Sequence, residues 1–268
     1  MLETETLDQW VEGSAYEQFM GRWSRKLAPA FLQWLQPPPA ADWLEVGCGT
    51  GALTTAIVTE SAPASVVACD SSESLLDYAR GHVRDDRVRF VLATVPDLPA
   101  RDGGYTSVTS MLALNYFPDP AAAVERMIEL TAGPDSLVSA CVWDYGENMQ
   151  MLHYFWKAAA AVDHRARQFD EGHRFGHYRP ATLDPMFRGP GLRGIRCEPL
   201  RMHTVFAGFD DYWQALLHGT GPAPTFLASL DEEQRAEVAR RLRKHLPGRT
   251  LTRITLTARA WAIRGTTH

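Results

Sequence analysis

A short apolar run that ends in three closely spaced glycines constrains the fold of this chain more than any other feature. The run at 42–46 is followed directly by Gly47, Gly49 and Gly51, and a helical pattern begins at once. This succession predicts a strand, a tight turn without side chains and a helix N-terminus with unpaired backbone N–H groups. Such a turn lets a small cofactor with polar or anionic groups approach the backbone.

The glycine spacing by itself leaves two cofactor families open. Gly47, Gly49 and Ala52 satisfy the G-x-G-x-x-G/A pattern of nicotinamide and flavin binders, and Asp70 follows about twenty positions later, where such proteins hold a ribose. The motif therefore predicts nucleoside binding in a doubly wound sheet, and its surroundings must decide which nucleoside.

Four further segments carry a family resemblance. Residues 44–51 read LEVGCGTG with an acid, Glu45, inside the strand, and 66–70 read VVACD. Residues 97–105 are similar to an "LPF-DGSFD" region, and 112–120 (LALNYFPDP) to an "LALHHFPDP" segment. In this order the segments resemble class I S-adenosylmethionine-dependent methyltransferases of the type 11 branch, which is similar to ubiquinone and menaquinone C-methyltransferases. The resemblance covers roughly residues 16–142.

The resemblance implies S-adenosylmethionine as cofactor and assigns roles to individual residues. The three glycines would receive its methionine portion, Asp70 its ribose and Glu45 its ammonium group. Thr94 stands near the adenine in place of the acid that the family often has there, and Arg22 would lie near the carboxylate of the cofactor. The remaining residues of the predicted cofactor site are Tyr16, Cys48, Ser71, Val95 and Met111.

Alternating strand and helix patterns predict an α/β fold. We expect a Rossmann-like, doubly wound, seven-stranded sheet whose last strand is antiparallel. After the first strand, a helix is predicted at 50–60 and another at 181–187, and Asp119 is expected to cap a further helix with Pro120 in its first turn. Strands are predicted at 65–69, 88–92, 105–111, 137–142, 195–206 and 254–263.

The domain prediction comprises an N-terminal helical cap at 1–40 and a cofactor-binding methyltransferase domain at 41–268. The cap has two helical stretches, the first with an apolar face that includes Tyr16 and Trp23. Two insertions rich in aromatic residues, at about 145–180 and 209–247, interrupt the alternation after the fifth and sixth strands. Because parallel strands end at the ligand-binding edge of such a sheet, we expect these insertions to form a substrate lid.

Candidate substrate residues follow the ends of the fourth and fifth strands and lie in the insertions: Asn115, Tyr116, Trp143, Tyr145, Trp156 and Trp213. Methyl transfer is an in-line displacement that needs alignment and exclusion of water, and sometimes a proton acceptor. His153 has the pKa range expected of a general base, and Asp144 is its competitor. The sequence does not decide between them.

Composition and net charge limit the classes of partner that the sequence predicts. The net charge of −5 and the absence of a long basic tract disfavour nucleic acid, and the basic run at 240–245 reads as a solvated helix end. His173 and His177 lack an obvious third ligand, so no metal is expected. Four cysteines without a paired motif, no secretion signal and no apolar run of membrane-spanning length predict a soluble cytoplasmic protein, monomeric or homodimeric.

The sequence therefore predicts methyl transfer from S-adenosylmethionine to a small, partly aromatic or apolar molecule, without a statement of which atom is methylated. Two alternatives stay open. One is a nicotinamide-dependent oxidoreductase, and the other is a protein that binds S-adenosylmethionine but performs non-methyl chemistry or only binds a ligand.

Overall fold

Apolar runs alternate with amphipathic stretches, and each becomes a strand or a helix. The computed structural model of the protein describes residues 12–247 and 253–268. The strands are β1 (Asp42–Val46), β2 (Ser65–Asp70), β3 (Val88–Leu92), β4 (Ser107–Met111), β5 (Leu137–Trp143), β6 (Arg193–Phe206) and β7 (Ile254–Thr266). The helices are α1 (Gly13–Tyr16), α2 (Arg22–Leu35), α3 (Ala52–Glu60), α4 (Glu73–His82), α5 (Pro120–Glu129), α6 (Gln150–Ala160), α7 (Glu171–Phe175), α8 (Pro180–Arg188), α9 (Phe209–His218), α10 (Pro222–Ala228) and α11 (Glu232–His245).

The strands form one seven-stranded sheet in the order β3-β2-β1-β4-β5-β7-β6. The β1–β2, β1–β4, β2–β3 and β4–β5 pairs are parallel, and the last strand is antiparallel, which confirms the predicted fold class. Val46 is paired with Cys69, so β1 and β2 end side by side. The glycine loop and Asp70 are consequently brought to the same edge of the sheet.

Two helical stretches predicted near the N-terminus prove to be a single helical run. Five residues, Glu17–Gly21, form a π-helical turn between α1 and α2. Phe19, Met20 and Trp23 are buried, so this face has the packing role that its apolar periodicity indicated. Residues 1–11 of the predicted N-terminal cap lie outside the described residues.

The described residues divide into two compact units. The first, which we call the sheet unit, comprises 24–142, 178–200 and 260–268. The second, the aromatic unit, comprises 12–23, 143–177, 201–247 and 253–259. This division differs from the predicted boundary at residue 40, because α2 belongs to the sheet unit from residue 24 onward.

Within the sheet unit, β4 is buried along its whole length, as expected of a central parallel strand. It begins at Ser107 rather than at 105, and Tyr105 forms only an isolated bridge with Thr131. Asp119 caps α5 as predicted, accepting a hydrogen bond from the Ala122 N–H at 3.0 Å, and Pro120 occupies the first turn.

The aromatic unit has its own core. Phe155, Trp156 and Phe226 are almost fully buried. The ring centre of Trp156 lies 4.9 Å from that of Phe155 and 5.6 Å from that of Phe226. The two predicted insertions are largely helical, since they contain α6, α7 and α9 to α11. Their regularity was not evident in the sequence because aromatic residues occur on several faces. Within the described ranges, no helix has the length and apolar character needed to cross a membrane.

Candidate functional site

The glycine loop after β1 is held in a conformation that requires glycine. Gly47, Gly49 and Gly51 have φ of +78°, +54° and +82°, the left-handed region that other residues rarely adopt. The N–H groups of Gly47 and Cys48 both donate to the carbonyl of Cys69, at 2.8 and 2.9 Å. The loop is thus fixed to the end of β2 and begins α3 directly.

The surroundings of the three glycines differ. A Cβ atom on Gly47 would collide with the Cβ of Ala113, and one on Gly51 would lie 3.1 Å from Cγ2 of Val83. A Cβ on Gly49 would have no described atom within 4 Å. Gly47 and Gly51 therefore permit close internal packing, whereas Gly49 leaves its backbone accessible from open space.

Asp70, the last residue of β2, organises this loop. Its Oδ2 accepts a hydrogen bond from the Gly49 N–H at 2.8 Å, and its Oδ1 accepts one from the Ser72 N–H at 2.9 Å. Burial raises the pKa of Asp70, opposed by the hydrogen bonds from the backbone of Ser72, Gly49 and Ser71. The N-cap of α4 is Ser72, not Asp70, so the carboxylate is available for a ligand as well as for the turn.

Glu45 lies beneath the loop in an unusual setting for an acid. Its side chain is buried, with 1% of the residue exposed, and its Oε2 accepts a hydrogen bond from Thr54 Oγ1 at 2.6 Å. Burial, with a further contribution from the charge of Asp70, raises the pKa of Glu45 to about 8, although the hydrogen bond from Thr54 acts in the opposite direction. The Glu45–Thr54 bond joins β1 to α3 across the glycine loop.

The segment after β4 lies against the glycine loop through the Ala113–Gly47 approach. Leu112 has a φ of +66°, which is unusual for a residue with a side chain. Asn115 is 4% exposed, and neither its Oδ1 nor its Nδ2 has a hydrogen-bond partner among the described residues. The neighbouring Tyr116 is half-buried.

The other predicted cofactor residues of the sheet unit lie at strand ends or in the adjacent loops. Cys48 is buried, and burial raises the pKa of its thiol, which makes it unreactive. Met111 is the buried last residue of β4. Ser71 and Thr94 are exposed and Val95 is half-buried, so these three are accessible to a ligand.

Two predicted cofactor residues, Tyr16 and Arg22, belong to the aromatic unit and flank the π-helical turn. Arg22 donates to both carboxylate oxygens of Asp211, at 2.8 and 3.1 Å, and its guanidinium lies about 5 Å from the ring centres of Trp23 and Phe206. Arg22 therefore already has an acidic partner, which its sequence position did not reveal.

The ion pair and hydrogen bond of Asp144 argue against its predicted role as a general base. Its Oδ2 pairs with the guanidinium of Arg259, with Nε at 2.6 Å, and its Oδ1 accepts from the Glu147 N–H at 3.1 Å. Both carboxylate oxygens thus stabilise the exit from β5. His153 lies on an exposed face of α6, close enough to Asp170 for its charge to favour the ionised form of that carboxyl.

The predicted substrate residues of the aromatic unit are largely buried. Trp143 is the last residue of β5, Tyr145 lies two residues later, and the ring of Tyr145 lies 5.8 Å from that of Phe175. Trp156 is 1% exposed, whereas Trp213 is half-buried and stacked on Phe209.

Glu171 is a residue that the sequence analysis missed. It is fully buried at the start of α7 and accepts a hydrogen bond from the indole N–H of Trp156. Burial raises its pKa to about 8. Its sequence context, Asp170-Glu171-Gly172, signals only a helix N-terminus, so no local pattern identified it.

The histidine pair does not form a helical metal site. His173 lies in α7, which ends at Phe175, and His177 follows the helix. Among the described residues, there is no cluster of three or more His, Cys, Asp or Glu side chains arranged to hold a metal ion.

The sequence is similar to known methyltransferases over the segment that forms this site. A family model described as "Methyltransferase domain" matches residues 44–132, the segment from β1 past α5. The ubiquinone biosynthesis O-methyltransferase of Xylella fastidiosa (strain 9a5c) is 29% identical over 175 residues, which are 62% of this chain and 68% of that protein.

Solved structures share the fold. The Haemonchus contortus phosphoethanolamine N-methyltransferase 2, in complex with S-adenosyl-L-methionine, aligns with a TM-score of 0.59 at 13% identity over 99% of this chain and 57% of that one. The 4+2 cyclase SpnF aligns with a TM-score of 0.52 at 13% identity, covering 91% of this chain and 81% of that one.

The sequence matches decide between the two cofactor families that the glycine spacing left open. The family match covers the glycine loop, the acid at the end of β2 and the segment after β4, and the seven-stranded sheet with its antiparallel last strand is the fold that the resemblance implied. The methyltransferase domain match and the similar proteins together support a class I S-adenosylmethionine-dependent methyltransferase with S-adenosylmethionine as its cofactor.

Proposed function

We propose that this protein transfers the methyl group of S-adenosylmethionine to a small molecule with an aromatic or apolar body. The observation that carries the proposal is Gly49, whose left-handed backbone faces open space while its N–H is held by Asp70. A side chain at this position would occupy the space that a ligand needs in order to reach the loop backbone.

We assign residues of the sheet unit to the individual groups of the cofactor. Gly47, Gly49 and Gly51 would receive its methionine portion, and Asp70 retains lone pairs for the ribose hydroxyls beside its two backbone bonds. Glu45 would face the ammonium group, which favours loss of the Glu45 proton when the cofactor binds. Thr94 and Val95 would border the adenine.

Bound S-adenosylmethionine supplies a methyl group already activated on a sulfonium, so the protein has to align an acceptor and exclude water. The glycine loop is suited to alignment, because it is tied to β2 by two backbone hydrogen bonds and to α3 by the Glu45–Thr54 bond. Proximity and orientation are therefore the main contributions that we assign to this chain. We propose His153 rather than Asp144 as the general base, because both carboxylate oxygens of Asp144 already accept hydrogen bonds.

The class of acceptor is supported by two observations. The aromatic unit is dense in buried aromatic side chains, and the similar Xylella protein is named a ubiquinone biosynthesis O-methyltransferase. A phenolic ring with an apolar substituent is consistent with both.

The proposal is tested by incubating the purified protein with S-adenosylmethionine and a panel of alkylated phenols, catechols and matched anilines. Formation of S-adenosylhomocysteine together with a product heavier by one methylene supports it, and Asp70→Ala serves as the binding-deficient control. Mass spectrometry of ligand retained by the wild-type protein gives independent evidence for the cofactor. Failure of every acceptor class to yield S-adenosylhomocysteine contradicts methyl transfer to such molecules.

A second candidate is cofactor binding without methyl transfer. The 4+2 cyclase SpnF shares this fold, which is the specific reason to consider it. In that case a substrate would be converted in the presence of S-adenosylhomocysteine as well as of S-adenosylmethionine, without consumption of either.

A further inference from the structure

Asn115 is a buried polar side chain whose hydrogen-bonding capacity is unused. It lies in the short 3₁₀ turn Leu114–Tyr116 after β4, with 4% of the residue exposed. Neither Oδ1 nor Nδ2 has a partner among the described residues, and both atoms are withdrawn from solvent. Buried polar groups in folded proteins are nearly always paired, so this amide lowers the stability of the ligand-free protein.

The turn that carries Asn115 belongs to the cofactor end of the sheet unit. Ala113, two residues earlier, lies so close to Gly47 that no Cβ would fit there. Leu112 adopts a left-handed φ of +66°, a second unfavourable feature in the same segment. Strained backbone and unpaired buried polar groups cluster at ligand sites and active sites.

The chemistry of a carboxamide restricts what can complete it. The Asn side chain presents an acceptor oxygen and a donor NH₂ group side by side. A carboxylate would satisfy only the NH₂ group, and an ammonium would satisfy only the oxygen. A hydroxyl or another carboxamide both donates and accepts, so it pairs with both atoms.

We propose that Asn115 binds an uncharged hydroxyl or carboxamide of the methyl acceptor and thereby selects neutral polar acceptors over carboxylates and amines. This inference rests on the proposed methyl transfer and adds the polar group that the acceptor carries. Since the amide has no solvent-exposed surface in the ligand-free protein, this binding requires a shift of the segment 112–116.

The first experiment measures thermal stability without ligand. Asn115→Leu replaces the unpaired amide by an apolar group of similar size, and we expect Tm to rise by a few degrees. Ser139→Ala is the contrast, because the Ser139 hydroxyl is buried and donates to Thr109 Oγ1 at 2.9 Å, so its removal should lower Tm. A lower Tm for Asn115→Leu would mean that the amide is paired within the protein and would overturn the proposal.

The second experiment titrates phenol, benzamide, benzoate and benzylamine by ligand-observed NMR into protein saturated with S-adenosylhomocysteine. The wild type should bind phenol and benzamide at least tenfold more tightly than the two charged probes. Asn115→Leu should lose that preference, and Asn115→Asp should shift it toward benzylamine. No preference in the wild type, or an unchanged preference in Asn115→Leu, overturns the proposal.

A third measurement tests whether Asn115 binds the acceptor or the cofactor. The distinction is needed because the edge of the adenine also donates and accepts hydrogen bonds. The Kd of S-adenosylhomocysteine should be unchanged within threefold in Asn115→Leu, and a tenfold loss would assign the amide to adenine and overturn the proposal. Because none of these measurements requires turnover, absence of methyl transfer with intact probe preference would contradict the proposed function alone.

Discussion

At the scale of single residues, Gly49 offers a direct test of the cofactor site. Gly49→Ala and Gly49→Val place a side chain in open space at a φ of +54°. We expect S-adenosylmethionine affinity to fall by at least tenfold with alanine and to be lost with valine, as measured by calorimetry. Gly103→Ala is the matched control, because Gly103 also has a positive φ (+79°) and no atom of a described residue within 4 Å of an added Cβ, but lies before β4. Equal affinities in the Gly49 and Gly103 variants would refute the assignment.

Asp70 gives a second prediction at this scale. Its carboxylate accepts from Gly49 and Ser72 and is expected to accept from the ribose hydroxyls, each charged hydrogen bond contributing roughly 1.5–3 kcal/mol. Asp70→Ala should therefore weaken S-adenosylmethionine and S-adenosylhomocysteine by similar factors, since both carry the same ribose. Asp70→Asn, which keeps one acceptor oxygen, should lose less. If calorimetry found that only one of the two ligands weakened, the ribose role would be wrong.

At the scale of elements, the two tryptophans of the predicted lid differ in how deeply their side chains are buried. Trp156, in α6, is fully buried beside Phe155 and Phe226, and its indole N–H donates a hydrogen bond to Glu171. Trp156→Ala should therefore destabilise the protein by about 3–5 kcal/mol. Trp213, in α9, is half-buried and stacked on Phe209, so Trp213→Ala should lower Tm less than Trp156→Ala does. If the insertions help to bind substrate, Trp213→Ala lowers turnover more than S-adenosylmethionine affinity. Unchanged turnover per folded molecule in Trp213→Ala would remove the basis for a lid.

At the scale of the whole molecule, two buried acids predict how stability depends on pH. The pKa values of Glu45 and Glu171 are raised from 4.5 to about 8, chiefly by burial, and each pKa unit corresponds to about 1.4 kcal/mol. For an acid with a raised pKa, the stabilising contribution is fully present below pH 4.5 and is lost as the pH rises to about 8. Ligand-free protein should therefore lose stability between pH 5 and 8.

The contribution of Glu171 is measured by Glu171→Gln, whose amide can still accept from Trp156. We expect its Tm to match the wild type near pH 5 and to exceed it near pH 8, with Glu233→Gln, on the exposed face of α11, as the control. Parallel pH profiles for wild type and Glu171→Gln would contradict a raised pKa at this position.

The sequence by itself determined the sheet and the cofactor end of the protein. Glycines at 47, 49 and 51 permit a turn with positive φ, and short apolar runs between amphipathic stretches favour an alternating parallel sheet. These are local constraints, so the sequence alone is enough to predict them. Tertiary structure decided the partners of individual side chains: Arg259 for Asp144, Asp211 for Arg22, Trp156 for Glu171, and none among the described residues for Asn115. Such pairings join residues up to 189 positions apart, as with Arg22 and Asp211, and burial acts on the pKa of an acid only after distant segments have packed around it.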